Sequence, residues 1–553
     1  MKQTWNERRD SFRKICFKAR ARFLSDLNNP METQKSVLKD IISNHSKSEF
    51  GKEYSLNRIN NISTFQKKLP IRTYEQFDYW INRDVQTKGG SLSGKPIIRW
   101  LRTSGTTKDP KKIPYTEYWM SKYRVPALHV LWGNYIAHEP ELLTSPYAIL
   151  DAQTTREDPK EFLNGIPFQG ITNRNHAIND FDWQPPWYEA PWYNDKVPSK
   201  YEERMYYRLR YFLGKNLKAI MAINPSTLLA LQHHLYKNSE RLVEEIYSGT
   251  LYGKKIDDPQ HALARKLAKL FQDENFNMKA LWPNLTMLSC WTSATTKLYM
   301  PELEKCFPNV KILPFMGCGT EGIVTLPIDD HPTSGPLAIN QGFYEFLPAE
   351  YDLDNNLEKQ PETLLYDQLE LDKEYHLIMT QGSGMCRYAV GDIYKVVGFY
   401  QGVPRIEFLY RKNVLNSFTG EKLTEKQLLL SMQSTFKEFN INNELFICAP
   451  NWATPPYYKI LVEMHESKIN VSRETLEKSI DDLLRIYNKE YDSKRASLRL
   501  DGIKLFFVKK GIINKLQEDE KSKGNATQFK YKTFHKDDSI FNRLLKMNDT
   551  ITT

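Results

Sequence analysis

At 553 residues the chain is longer than one ordinary core organises, so two or more domains are expected. Hydrophobic residues at 40% and aromatics at 12% exclude a disordered or fibrous protein. The formal net charge of +10 comes from 77 basic and 67 acidic residues spread through mixed-sign segments; with no basic and aromatic array for stacking bases, nucleic acid is not expected and a small anionic ligand fits better.

The N-terminus is charged from its first residues, without the apolar core of a signal peptide, and no apolar run approaches the roughly 18 residues of a membrane span. The six cysteines are scattered, with no Cys-x-x-Cys pair and no histidine spaced for zinc, so reduced thiols and a soluble, cytoplasmic protein are expected. Secretion by a route that needs no signal peptide is the remaining alternative. From Trp5 to about Leu27 apolar residues recur at helical spacing among arginines and lysines, which reads as a basic helix packed on the main domain rather than on a membrane. A second helix is expected from Met31 to about Asn44, and Leu69 to Tyr74 as a turn into a third.

Ile97 to Leu101 reads as a strand feeding Thr103-Ser104-Gly105-Thr106-Thr107, with Lys108, Lys111 and Lys112 following. Hydroxyls, exposed N–H groups, a glycine and nearby positive charge suit a loop that cradles phosphates, and equally a plain Ser/Thr-rich turn. A helix over Trp119 to His138 completes a strand, loop and helix order, although the loop lacks the Walker spacing. Trp183 to Pro198 is an aromatic, Pro-rich irregular loop, and Ile223-Asn224-Pro225-Ser226-Thr227 reads as a strand end turning into a helix capped by Ser226.

Met287 to Trp291 and Val310 to Phe315 read as buried strands, the first leading to Thr292-Ser293-Ala294-Thr295, the second to Gly317-Cys318-Gly319-Thr320-Glu321-Gly322. Strands alternating with helices predict α/β layers with ligand loops at strand ends. Gly342 to Phe346, Glu374 to Gln381 and Arg387 to Phe399 form a β-rich segment in which Gly391-Asp392 places a carboxylate at a tight turn. Tyr410-Arg411-Lys412-Asn413 reads as a hinge. Beyond it, helices over Thr424 to Lys437 and Ser472 to Tyr491, and strands at Phe446 to Cys448, Tyr458 to Met464 and Ile503 to Val508, predict a small α+β domain ahead of a polar tail. The expected architecture is therefore α/β: a large N-terminal domain, 1–408, of α/β layers with a β-rich subdomain, and a smaller mobile C-terminal α+β domain, 409–553, joined near Arg411.

Ser104-Gly105-Thr106-Thr107, Gly319-Thr320-Glu321-Gly322 and Arg387-Tyr388-x-x-Gly391-Asp392, in this order, resemble the three signature motifs of adenylate-forming enzymes of the firefly-luciferase superfamily. Ile113-Pro114, Leu281-Trp282-Pro283-Asn284, Phe343-Tyr344-Glu345-Phe346 and Gly420 to Glu425 narrow the likeness, over nearly the whole chain, to the Gretchen Hagen family of acyl-acid amido synthetases, in its bacterial form. The resemblance implies a ligase that uses ATP and Mg²⁺ to turn a carboxylic acid into an acyl-adenylate and then passes the acyl group to an amine such as an amino acid. It further implies that Ser104, Gly105, Thr106 and Thr107 hold the phosphates and Glu321 the Mg²⁺. Thr320 would lie beside the α-phosphate or the acyl carboxylate, Gly319 would bind the nucleotide, and Asp392 would accept the ribose hydroxyls. Arg411 would touch ribose or phosphate, and Lys530, or Lys532 close by, would reach the α-phosphate from the small domain. Gly317 stands where the superfamily carries an aromatic residue that stacks on adenine, which leaves Phe315, Met316 or the Trp291 to Ser293 turn for that contact. Asn224 and Ser226 are candidate acyl-substrate residues. A thiol acceptor and a catalytically silent nucleotide-binding module are the competing readings.

Overall fold

The computed structural model describes residues 5–103, 110–144, 147–152, 155–156, 159–171, 173–174, 198, 200–273, 276–332, 335–411, 415–416, 421, 423–442, 444–451, 453, 455–464, 470–496, 500–516, 533–535 and 538–550. The chain divides into two compact units. One takes Met1–Ser293, Glu302–Phe408 and Ala526–Gln528, the other Ala294–Pro301, Leu409–Asn525 and Phe529–Thr553.

The first unit is built on a four-stranded, wholly parallel sheet in the order Lys311–Pro314, Met287–Cys290, Leu217–Met221, Ala148–Asp151. Every residue of Leu217–Met221 and Met287–Cys290 is buried, as expected of parallel strands covered on both faces. The helices Tyr201–Phe212 and Pro225–Lys237 flank Leu217–Met221 in sequence. Pro225–Lys237 starts one residue before Ser226, so Asn224, whose carbonyl accepts from Thr227 N–H at 3.0 Å, takes the entry position that the sequence pattern gave to Ser226. Proline at the first helical position explains the shift: it has no N–H to lose and its φ is already helical.

A second four-stranded sheet, in the order Lys112–Thr116, Ile97–Arg102, Ile166–Gln169, Phe162–Leu163, departs from expectation at one point. Ile97–Arg102 pairs antiparallel with Lys112–Thr116 before any helix begins, so residues 103–111 join two strands of a hairpin and not a strand to a helix. The pattern hides this strand because Pro114 sits in it; Lys112–Thr116 lies at the sheet edge, where proline costs no ladder bond.

The third sheet is the expected β-rich segment, with strands Phe343–Pro348, Glu374–Thr380, Tyr388–Tyr400 and Val403–Arg411 in sequence order. Gly391-Asp392 is not a turn but lies inside the long strand Tyr388–Tyr400, where the register with Glu374–Thr380 slips between His376 and Ile378. Gly391, at φ +85°, supplies the backbone state that the irregularity requires. The N-terminal helices Trp5–Asp26 and Pro30–His45 form as the apolar spacing predicts.

The second unit has a sheet of Phe446–Asn451, Tyr457–Glu463 and Lys504–Val508, with Phe534 bridging to Cys448. Glu425–Glu438 starts on a capping box between Thr424 and Gln427. The helix expected over Ser472 to Tyr491 is two, Arg473–Tyr487 and Lys489–Ala496. Asn488 separates them, because its side-chain oxygen takes the N–H of Tyr491 at 2.9 Å and so caps the second. Trp183 to Trp192 and the segment 517–532 fall outside the described residues. Among the described residues no helix is long and apolar enough to cross a membrane, and none of the six cysteines is in a disulfide.

Candidate functional site

Three of the four parallel strands carry a predicted segment at their carboxyl ends. Asn224 follows Leu217–Met221, Ser293 follows Met287–Cys290, and Gly317 to Gly322 follow Lys311–Pro314. Backbone bonds keep these extensions side by side: Trp291 N–H donates to the Ile223 carbonyl at 2.8 Å and Phe315 N–H to that of Cys290 at 2.8 Å. The Trp291 ring N–H holds the Met316 carbonyl at 3.1 Å. Open α/β sheets bind ligands at this edge.

Gly317–Cys318 folds back on Ile323–Thr325 as a two-residue ladder, closed by Gly319 N–H on the Gly322 carbonyl at 2.9 Å. Gly317 donates to the Thr325 hydroxyl at 3.1 Å, and a Cβ at 317 would collide with that oxygen. No aromatic side chain fits there, which accounts for the glycine. The Glu321 carboxylate leans over Gly319: its Oε2 lies 2.8 Å from where a Cβ at 319 would stand. Glu321 is only 7% exposed, yet no described residue hydrogen-bonds to its carboxylate or forms an ion pair with it. A nearly buried carboxylate without a protein partner is costly unless a cation takes it up, so this residue fits a metal-ligand role. Mg²⁺ is commonly held by only one or two carboxylates, with phosphate oxygens completing its shell.

The first and third motifs are joined to each other through Lys111. Thr103 and Lys111 close the base of the first motif, Thr103 N–H donating to the Lys111 carbonyl at 3.3 Å and Lys111 N–H to the Thr103 hydroxyl at 3.2 Å. Lys111 Nζ then donates to the Tyr388 hydroxyl at 2.9 Å, at the start of the strand that bears Asp392. The same ammonium lies 5.1 Å from the Tyr74 ring centroid and 5.6 Å from that of Tyr388. Tyr74 accepts from Lys112 N–H at 2.7 Å; burial, chiefly, and then the charges of Asp78, Glu75 and Glu321 raise its hydroxyl's pKa. The structure thus gathers the base of the first motif, Tyr74 and Tyr388 around Lys111.

Arg387 has a different task. At 2% exposure and φ +54° it spends all its N–H groups on protein partners. Nε and Nη2 donate to Glu345 at 3.1 and 3.0 Å, Nη1 to the carbonyls of Gln66 and Leu69 at 2.7 and 2.6 Å, and Nη2 also to Thr363 at 3.0 Å. It anchors the entry to Tyr388–Tyr400, where Arg72 N–H donates to the Arg387 carbonyl and Ala389 N–H to that of Arg72. Arg72 stands in a box of Phe50, Tyr54, Phe77 and Trp80.

Ser104, Gly105, Thr106, Thr107 and Lys530 lie outside the described residues, as do the side chains of Ser226 and Arg411; the backbone of Arg411 ends the strand Val403–Arg411. Asn224 is buried, and Ser293 is half-buried. Asp392, also half-buried, lies four residues beyond Tyr388, about 13 Å along an extended strand.

Family models for the GH3 family N-terminal, central and C-terminal domains match residues 19–312, 335–411 and 426–539 in turn. The chain belongs to the GH3 family. Among GH3 relatives, indole-3-acetic acid-amido synthetase GH3.2 of Arabidopsis thaliana is 25% identical over 86% of this chain and 92% of its own. Jasmonoyl–L-amino acid synthetase JAR4 of Nicotiana attenuata is 24% identical over 90% of each. The solved structure of AtGH3.15 acyl acid amido synthetase in complex with 2,4-DB superposes with a TM-score of 0.80 at 20% identity, over 96% of each chain, and shares the GH3 fold.

Proposed function

We propose that this GH3 protein is an ATP-dependent acyl-acid amido synthetase. A carboxylate oxygen of the acid attacks the α-phosphorus of ATP, the bond to the β-phosphate breaks and pyrophosphate leaves. The nitrogen of an amine, an amino acid in this reading, then attacks the acyl carbon; the bond to AMP breaks and the nitrogen gives up a proton. Relatives matched over nearly their whole length carry the names of amido or amino acid synthetases, and the observation in the structure that carries the reading is the nearly buried carboxylate of Glu321, without a partner among the described residues, at the carboxyl edge of the parallel sheet.

In this reading Ser104, Gly105, Thr106 and Thr107 bind the triphosphate, on a segment whose base Thr103 and Lys111 hold shut. Thr320 and Gly319 face the α-phosphate, and Glu321 holds Mg²⁺. Bound Mg²⁺ would offset charge on the phosphates. Asp392 accepts the ribose hydroxyls, a match for its two oxygens. Ser293 and the Trp291 turn lie beside the base, and Asn224 and Ser226 line the acyl site. Residues 409–553 act as the smaller mobile domain, bringing Arg411 and Lys530 to the nucleotide. We place the activity in the cytoplasm, with free small acids and amino acids as substrates.

The test is pyrophosphate release from ATP over a panel of carboxylic acids, with mass spectrometry for amides formed from added amino acids. Acid-dependent pyrophosphate and an amide are expected. Release independent of acid, or a thioester with coenzyme A in place of the amide, contradicts the proposal.

A further inference from the structure

Arg124 belongs to none of the three motifs, yet it reaches the second of them. The helical run Glu117–His138 is interrupted by a wide π turn at Met120–Arg124. Pro126 follows inside the run, where it has no N–H to give to the carbonyl four residues back, and a widened turn accommodates that loss. The turn directs Arg124 inward. Its side chain is 6% exposed, its guanidinium carbon lies 5.1 Å from the Trp119 ring centroid, and it donates to the carbonyls of Thr320 at 3.3 Å and Gly319 at 3.4 Å. Trp119 is itself fixed, because its ring fills the space a Cβ on Gly382 would need, at 2.5 Å from Cδ1.

Two consequences follow from that contact. In a trans peptide the C=O and N–H point in opposite directions, so drawing the carbonyls of Gly319 and Thr320 toward Arg124 turns the N–H groups of Thr320 and Glu321 the other way. Neither N–H has a hydrogen-bond partner among the described residues, although Thr320 and Glu321 are buried. Hydrogen bonding at a carbonyl also polarises its peptide and strengthens the N–H as a donor. The guanidinium, for its part, has no carboxylate partner among the described residues. Two aimed donors backed by a cation suit a centre where negative charge grows during a reaction.

We infer that Arg124 is a positioning residue for adenylyl transfer to the acid: through the Gly319 and Thr320 carbonyls it aims the N–H groups of Thr320 and Glu321 at the phosphate oxygens that gain charge. The inference rests on the ligase reading above. It also explains why the loop needs a partner from a distant helix, since Gly319 and Gly322 alone leave the peptides between them free to turn.

The experiment compares the full-length wild type with Arg124→Met and Arg124→Lys. Arg124→Met is expected to lower kcat for acid-dependent pyrophosphate release about 100-fold while the KM for ATP stays within about threefold. Arg124→Lys recovers part of the loss, and guanidinium ion added to Arg124→Met recovers about tenfold. Amide hydrogen exchange in the peptide 317–323 speeds up by about tenfold in Arg124→Met with other peptides unchanged. An unchanged kcat overturns the inference, as does a fall in kcat matched by lost ATP affinity and melting temperature without guanidinium rescue. Exchange reads the clamp without ATP. Unchanged exchange in Arg124→Met therefore marks failure of this inference, whereas a wild type that releases no pyrophosphate with any acid marks failure of the ligase reading.

Discussion

At the scale of single residues, two ionised groups of the signature motifs behave in opposite ways. Glu321 is nearly buried and has no described partner, so removing its charge takes away a desolvation cost and no protein contact. Glu321→Gln is expected to leave stability unchanged or raised by about 1 kcal/mol in urea titration, while adenylation falls by about 100-fold or more. A variant that unfolds early and keeps its activity contradicts this assignment. Arg387, by contrast, forms a two-point ion pair with Glu345 at 1–3% side-chain exposure on both sides. Arg387→Met strands the Glu345 carboxylate and is expected to cost about 3–5 kcal/mol in the same titration. Adding Glu345→Leu to it recovers much of the loss if the cost is an orphaned charge. Sequence alone shows Arg387 only as part of the third motif, with no role of its own; its partners Gln66, Leu69, Thr363 and Glu345, distant in sequence, show an anchor.

At the scale of elements, the end of the helix Pro30–His45 is joined to the loop after Glu374–Thr380 by one ring. His45 Nδ1 accepts from Gly94 N–H at 2.9 Å, which leaves Nε2–H to donate to the Gly382 carbonyl at 3.1 Å. Burial, first, and the charge of Lys95 hold its pKa down at about 4, against 6.5 for the free group, with the Gly382 bond and Asp40 opposing. A folded pKa below the unfolded one means that the unfolded chain takes the proton first. The stability His45 contributes is thus complete above about pH 6.5 and is lost as pH falls toward 4, a change of about 3 kcal/mol. Urea midpoints measured from pH 7.5 downward should fall over that window, and His45→Gln, which cannot titrate, should flatten the fall. An unchanged slope in that variant contradicts the assignment. Elements with strong periodicity, such as Trp5–Asp26, Glu425–Glu438 and Lys311–Pro314, were legible in the sequence because one face or one run of each is apolar. The misreadings occur where a single residue outweighs the pattern. Pro114 hid an edge strand, Pro225 displaced a helix start, Asn488 split a helix, and Gly391 made a strand irregularity look like a turn.

At the scale of the whole molecule, the order of the motifs was readable and their joining was not. Three short motifs and their spacing pointed to one family, and family models over the three successive parts of the chain bear that out. The α/β character was equally readable, since buried strands alternate with helices from Ala148 to Pro314. What holds the motifs together was not, because it depends on side chains far apart in sequence: Lys111 on Tyr388, and Arg124 on Gly319 and Thr320. Such contacts leave no periodic trace.

The account stands on a carboxylate attacking the α-phosphorus, and isotope transfer tests that step most directly. The enzyme is supplied with ATP, Mg²⁺, an amine and an accepted acid labelled with ¹⁸O in both carboxylate oxygens. Mass spectrometry is expected to find one ¹⁸O in AMP, the other in the amide, and none in pyrophosphate. Label in inorganic phosphate with ADP as the nucleotide product, or AMP formed without label, contradicts it.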